Sequence, residues 1–238
     1  MSIVKSDRDG AVVTITLDRA AEGNLLPVDG VRELAAAFRA ASATDAKVIV
    51  LRGEGADFCR GRGGGGPPSS TAMKMRANVC EPILDAYEAM TSAHQPIVGV
   101  VQGAAHGFGC AIASVCDITI AHDTARFKLP EMEKDLPPTL AMSAVMPRVP
   151  RKVLAWMVYA MDELDAHAAH QVGIVSKVAA EAMLEMEVDK LLKTMTARSP
   201  EALVAVKDFL RSAPHMEPRG MADYGANLLA AVLSSAGK

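Results

Sequence analysis

Polar and apolar residues alternate over Val12–Leu17 (VVTITL), a β-branched run whose period of two predicts a strand, and a turn-rich stretch over 18–30 ends it. From Val31 the period changes: Val31, Leu34, Ala35 and Phe38 fall at helical spacing, predicting a helix over 31–43 with Asp29 placed to cap its start. Residues 48–51 (VIVL) are apolar without interruption, as in a strand covered on both faces. Residues 53–70 then hold seven glycines and two prolines, which no helix or central strand tolerates, and predict a loop. A long helix is expected over 71–91 and a buried strand over 96–103. A glycine turn at 106–109 leads into an apolar helix, and a short strand covers 118–121. Beyond Pro150 the patterns are almost all helical, over 151–161, 165–172, 181–197, 199–212 and 220–236. Strands alternating with helices early and helices alone late make an α/β chain, divided here into a core domain over 1–178 and a helical region over 179–238.

Composition narrows the function classes. Of 238 residues, 50% are hydrophobic and 22% charged, which excludes extended disorder. The 25 basic and 28 acidic residues give a net charge of -3, without the basic excess that neutralising nucleic-acid phosphates requires. No uninterrupted apolar stretch reaches the roughly 18 residues of a membrane span, and the first ten residues carry charges where a secretory segment is apolar. The expectation is a cytoplasmic protein without nucleic-acid or membrane partners. Its four cysteines form no C-x-x-C pair and are expected to be reduced thiols.

Several motifs touch chemistry. Gly61-x-Gly63-x-x-Gly66 has the form of a dinucleotide fingerprint, but no strand leads directly into it and Pro67-Pro68 stand where its helix should begin. The segment reads instead as a flexible loop covering a ligand, with Arg60 and Arg62 as phosphate contacts, or as a merely solvated loop. His106-Gly107-Phe108-Gly109 resembles the oxyanion segment of lipases, yet no G-x-S-x-G nucleophile elbow occurs. A glycine turn opening a helix remains a good oxyanion site whatever the chemistry. His167 and His170 have metal-ligand spacing without an identifiable third ligand, so no metal is expected. Glu131, Glu133 and Asp135 read as a solvated acidic run unless context says otherwise.

The order of segments supplies that context. ADFCRGRG (56–63), PIVGVVQGAAHGFGCAIASVCDITIAHDTARFKLPEM (96–132) and HAAHQVGIVSKV (167–178) together resemble the enoyl-CoA hydratase/isomerase family, the crotonase superfamily. The most specific stretch, CDITIAHDTARFKLPE, follows the family's C-D-x-x-x-A-x-x-x-A-x-F-x-x-P-E. The resemblance implies a crotonase-like ββα spiral core with C-terminal helices that pack on neighbouring subunits in homotrimers or hexamers. It implies an acyl-CoA substrate, with coenzyme A present only as part of that substrate and no further cofactor.

In this family two backbone N–H groups hold the thioester oxygen as an enolate forms. The resemblance places them at Arg62 and Phe108, where the family commonly has alanine and glycine, with Gly61, Gly107, Arg60 and Arg62 around the substrate. Family hydratases commonly use two glutamates twenty positions apart. The second corresponds to Glu131; the first falls on Ala111, which cannot move a proton. A single carboxylate suffices to shift a double bond, because it removes a proton at one carbon and returns it at another. The sequence therefore leans to enoyl-CoA isomerisation with Glu131 as principal acid/base and His106 as an auxiliary. A single-glutamate hydratase or a catalytically silent acyl-CoA-binding protein are the alternatives.

Overall fold

The computed structural model describes residues 2–64 and 71–235, so the last glycine of the Gly61-x-Gly63-x-x-Gly66 pattern and Pro67-Pro68 lie outside the described residues. β1 (Val4–Asp9) and β2 (Val12–Leu17) pair antiparallel, Val4 opposite Leu17 and Asp9 opposite Val12. β1 escaped the sequence reading because it is an edge strand with Val4 as its single buried residue, leaving no apolar alternation to detect. After helix α1 (Val28–Ser42), β3 (Val48–Gly53) joins β2 in parallel.

Next come helix α2 (Ala72–Met75), a π-helical turn (Arg76–Cys80) and helix α3 (Glu81–Ser92), which together fill the predicted long helix. β4 (Ile97–Val101), β5 (Ala104–His106), helix α4 (Phe108–Val115), β6 (Ile118–His122) and β7 (Arg126–Lys128) follow. Helices α5 (Thr139–Val145) and α6 (Arg151–Tyr159), β8 (Leu164–Asp165), helix α7 (Ala166–Val172) and β9 (Lys177–Ala179) complete the sheets. The larger sheet runs β1-β2-β3-β4-β6-β9 and the smaller β5-β7-β8. Helices α8 (Leu184–Thr196), α9 (Pro200–Ser212) and α10 (Pro218–Ser235) close the described chain.

The uninterrupted apolar strands are buried on both faces, as their patterns required. Ile49, Leu51, Ile97 and Val101 point into the main core with Leu34 and Phe38 of α1 and Ile83 and Met90 of α3. Val48, Val50, Val98, Val100 and Ile120 point the other way, onto Leu184, Val188 and Met195 of α8. β9 thus runs across residue 178, and α8 covers the sheet of which β9 is part.

One predicted boundary is corrected. Helix α1 begins at Val28, with Pro27 as its N-cap, and Asp29 lies inside the first turn, paired with Arg32 at 2.8 Å. Leu26 has both its N–H and its carbonyl bonded to the loop at Gly61 and Gly63, which holds the chain extended up to Pro27 and lets the helix start directly afterwards.

Candidate active site

Two backbone segments far apart in sequence are stitched together at the end of the small sheet. The Cys59 N–H donates to the Ala104 carbonyl and the Cys59 carbonyl accepts from the His106 N–H, both at 2.9 Å. On the other side, Leu26 donates to the Gly61 carbonyl at 3.0 Å and accepts from the Gly63 N–H at 2.9 Å. In such a parallel bridge the Arg62 N–H points away from Leu26. Asn24, fully buried, fixes this loop from beneath: its amide nitrogen donates to the Glu54 and Asp57 carbonyls at 2.9 and 2.7 Å.

The second segment turns at Gly107, whose φ of 53° and ψ of -114° suit glycine, and whose N–H donates to Lys128 O at 2.8 Å. Helix α4 starts immediately afterwards, and its first internal bond runs from the Ala111 N–H to the Gly107 carbonyl. The Phe108 N–H is therefore an orphan donor of a helix start. Among the described residues neither Arg62 N–H nor Phe108 N–H has an acceptor. The segments touch closely enough that a Cβ on Gly109 would lie 2.0 Å from the Cys59 oxygen.

The bulky residues at the two donor positions do not strain the turn. Positive φ falls on Gly61 (117°) and Gly107 (53°), not on Arg62 or Phe108. Phe108 directs its ring onto Tyr87 of α3, the centroids 5.8 Å apart and the planes 17° from parallel.

Glu131 stands beside this turn. It follows β7 on a 3-10 turn (Pro130–Lys134), and its Oε1 lies 2.7 Å from where a Gly107 Cβ would be. Its Oε2 is out of contact with water and has no hydrogen-bond partner, and burial pushes the carboxyl above the usual carboxylate range. Ala111, where the resemblance placed the first of the family's two glutamates, is fully buried inside α4.

Arg60 and Arg62, expected to act together, have different surroundings. Arg60 is 58% exposed and sits 3.8 Å from Asp57. Arg62 is half-buried; its Nη1 is sealed from water without a partner, and burial lowers its pKa while Cys80 and Tyr87 oppose that shift. The Tyr87 phenol is raised first by burial, then by the nearby Cys110 and Glu131, with Arg62 acting the other way. Arg62, Tyr87, Cys110 and Glu131 thus share one neighbourhood, with Phe108 stacked on its wall.

His106 faces a different group. Its Nε2 lies 3.1 Å from Glu163 Oε2, and the other oxygen of Glu163 lies 3.7 Å from Arg126 Nε. Burial lowers the His106 pKa, Glu163 opposes this, and Arg60 and Lys128 reinforce it. Lys128 in turn binds Glu133 at 2.5 Å. Sequence reasoning missed Tyr87, Asn24 and Glu163. Tyr87 sits in a helical pattern that reads as core, and the others lie in polar stretches with no motif of their own.

The donor pair beside a desolvated glutamate is accompanied by a family match: the model of enoyl-CoA hydratase/isomerase covers residues 7–235. The chain belongs to this family. Among enoyl-CoA hydratase/isomerase relatives, the 2,3-dehydroadipyl-CoA hydratase of Escherichia coli (strain K12) is 30% identical, covering 89% of this chain and 82% of that protein. Chromodomain Y-like protein 2 of Mus musculus is 28% identical over 88% of this chain, which spans 42% of that protein's length. The crystal structure of an enoyl-CoA hydratase from Mycobacterium smegmatis superposes with a TM-score of 0.92 at 22% identity, covering 97% of this chain and 91% of that one. The crotonase fold expected from the sequence is the fold observed. No helix among the described residues is long and apolar enough to cross a membrane.

Proposed function

We propose that this protein isomerises enoyl-CoA thioesters through an enolate, with Glu131 as the principal acid/base. The observation that carries the reading is the pair of unengaged N–H groups of Arg62 and Phe108 beside one desolvated carboxylate, with Ala111 where a second carboxylate would stand. In this reading coenzyme A enters as part of the substrate.

The two N–H groups bind the thioester oxygen and strengthen their hold as negative charge develops there. The Glu131 carboxylate takes a proton from C2 of a 3-enoyl-CoA, and the freed electron pair delocalises onto the oxygen. The same carboxyl then delivers the proton at C4, moving the double bond to C2 without gain or loss of atoms. A raised pKa suits both halves, since the group must accept and return a proton near neutrality. His106, held by Glu163, shapes the charge near the site rather than moving this proton.

Single-glutamate hydration is the competing reading, and the name of the E. coli relative favours it. Supplying wild-type protein with a 3-enoyl-CoA and, separately, a 2-enoyl-CoA decides between them. Isomerisation is expected to be the faster reaction; faster hydration overturns the isomerase assignment. A catalytically silent binder gives neither product and no deuterium exchange at C2.

A homotrimer or hexamer accompanies this proposal. Helix α10 has no buried residue, and Leu210, Leu229 and Leu233 are 60%, 60% and 65% exposed. Light scattering reporting a stable monomer would refute the assembly.

A further inference from the structure

Arg62 is a charged side chain in an apolar setting with nothing to balance it. Its guanidinium leaves the backbone at one of the two donor positions and turns inward, towards Cys80 at the end of the π-helical turn and Tyr87 on α3. Nη1 has neither water contact nor a hydrogen-bond partner, and among the described residues Arg62 makes no ion pair. Leaving part of a guanidinium desolvated and unpaired is costly, because the two N–H groups of Nη1 have lost water without gaining an acceptor.

The nearest acidic candidate does not fill the role. A guanidinium paired with Glu131 would pull that carboxyl down, yet no ion pair joins them among the described residues, Glu131 Oε2 is itself without a partner, and burial shifts Glu131 upward. The phosphates of coenzyme A are no better match, since they are large, strongly hydrated anions suited to exposed cations such as Arg60. Arg62 instead lies near Tyr87, whose ring stacks on Phe108, and its backbone N–H is one of the two that bind the thioester oxygen in the proposed function.

We infer that the acyl group of the substrate carries a carboxylate, and that the Arg62 guanidinium receives it inside the acyl pocket. The planar fork of arginine matches a carboxylate with two parallel hydrogen bonds, and burial makes such a pair selective against a methyl terminus, which would leave the cation unpaired. The same residue then serves twice: its backbone N–H holds the thioester oxygen, and its side chain reads the far end of a short acyl chain. This inference rests on the acyl-CoA reading of the site and names its substrate class.

Calorimetric binding of unreactive saturated thioesters tests it without requiring turnover. The probes are butanedioyl-, pentanedioyl- and hexanedioyl-CoA, each against the neutral butanoyl-, pentanoyl- or hexanoyl-CoA of equal length. The wild type is expected to bind at least one diacid thioester about tenfold or more tighter than its neutral counterpart. Arg62→Met should reverse that preference, and Arg62→Lys, which keeps the charge but loses the fork, should retain its direction at a smaller ratio. Neutral thioesters binding as well as or better than every diacid partner overturn the carboxylate inference while leaving the acyl-CoA reading intact. Failure of all six thioesters to bind overturns both. If Arg62→Met does not fold, the wild-type comparison still decides.

Discussion

Lys207 and Arg62 are both cations drawn away from water, and the fold treats them in opposite ways. The Lys207 side chain is 4% exposed, and its ammonium reaches Asp117 Oδ2 at 2.9 Å, the Gln95 carbonyl at 2.9 Å and the Met90 carbonyl at 3.3 Å. Three donors meet three acceptors, and the result clamps α9 to the end of α3 and the approach to β4. Asp117 is itself anchored by the Ile97 N–H at 2.7 Å. Arg62 has no such arrangement, and neither does the Oε2 of Glu131. At Lys207, where the buried charge serves architecture, every partner is supplied; at Arg62 and Glu131, left unmatched beside two free backbone donors, the proposed function puts the missing partner in the ligand. An orphan atom alone does not mark a site: Gln95 Oε1, next to the Lys207 clamp, is also unpartnered, and nothing in the structure explains it. Arg62 and Glu131 stand apart because they share one neighbourhood with two free backbone donors.

The sharpest way to test the contrast is to neutralise the unmatched carboxylate. Glu131→Gln keeps the shape and removes the base, so kcat should fall by about 10³-fold while affinity for a saturated acyl-CoA changes little. The acid limb of the wild-type pH–rate profile should lie above the ordinary carboxylate range, because burial raises the Glu131 pKa and the base is lost as pH falls through it. Stability should move the other way. The folded state holds the Glu131 proton more tightly than the unfolded state, so this group lowers stability in full above its folded pKa, less as pH falls below that, and not at all below the ordinary carboxylate pKa of the unfolded chain. Glu131→Gln should therefore melt slightly higher than wild type at neutral pH, with the gap closing in acid. Unchanged kcat removes Glu131 from the chemistry.

Breaking the matched pair should have the reverse signature. Asp117→Ala leaves the Lys207 ammonium facing two carbonyls with no counter-charge, and the expected loss is about 3 kcal/mol of folding stability. Urea unfolding of wild type and variant measures it. At urea concentrations where both are folded, the variant's preference between neutral and diacid thioesters should be that of wild type, since the clamp does not contact the site. A loss under about 0.5 kcal/mol means the clamp is surface-like in energy despite its burial.

How far the sequence could carry this contrast depended on length and direction. VVTITL and the VIVL run were legible as strands because each is long enough for a period to appear, and the glycine turn before α4 was legible because Gly107 must take a positive φ. β5, β7 and β8 span two or three residues each, too few for any period, and they exist because the small sheet is assembled by tertiary contacts. The donor positions could be placed by resemblance, since backbone donors follow the motif. The surroundings of side chains could not: Arg60 and Arg62 flank one glycine, yet the first is 58% exposed and the second has Nη1 sealed from water. Tyr87, whose ring stacks on Phe108, comes from a helix whose pattern says only that the residue is buried.

The smallest expected effect belongs to the outward arginine, and it sharpens the comparison by asking whether exposure removes function altogether. Arg60 lies near His106, which feels its charge together with that of Lys128, on an edge where Lys128 is already paired with Glu133 and His106 with Glu163. Its nearest carboxylate, Asp57, is 3.8 Å away, too far for a hydrogen bond, and leaves the guanidinium free to meet a phosphate. An exposed contact of this kind is weak and screened by salt. Arg60→Ala should reduce affinity for free coenzyme A and for acyl-CoA alike, by about threefold to tenfold at low ionic strength, and should flatten the salt dependence of binding. The ratio between diacid and neutral thioesters should not change, because that discrimination is assigned to Arg62. Calorimetry across a salt series reads both quantities. Equal affinity of wild type and Arg60→Ala at low salt makes Arg60 a solvated bystander, and a changed diacid-to-neutral ratio would mean that the two arginines do not divide the ligand between its phosphate and acyl ends.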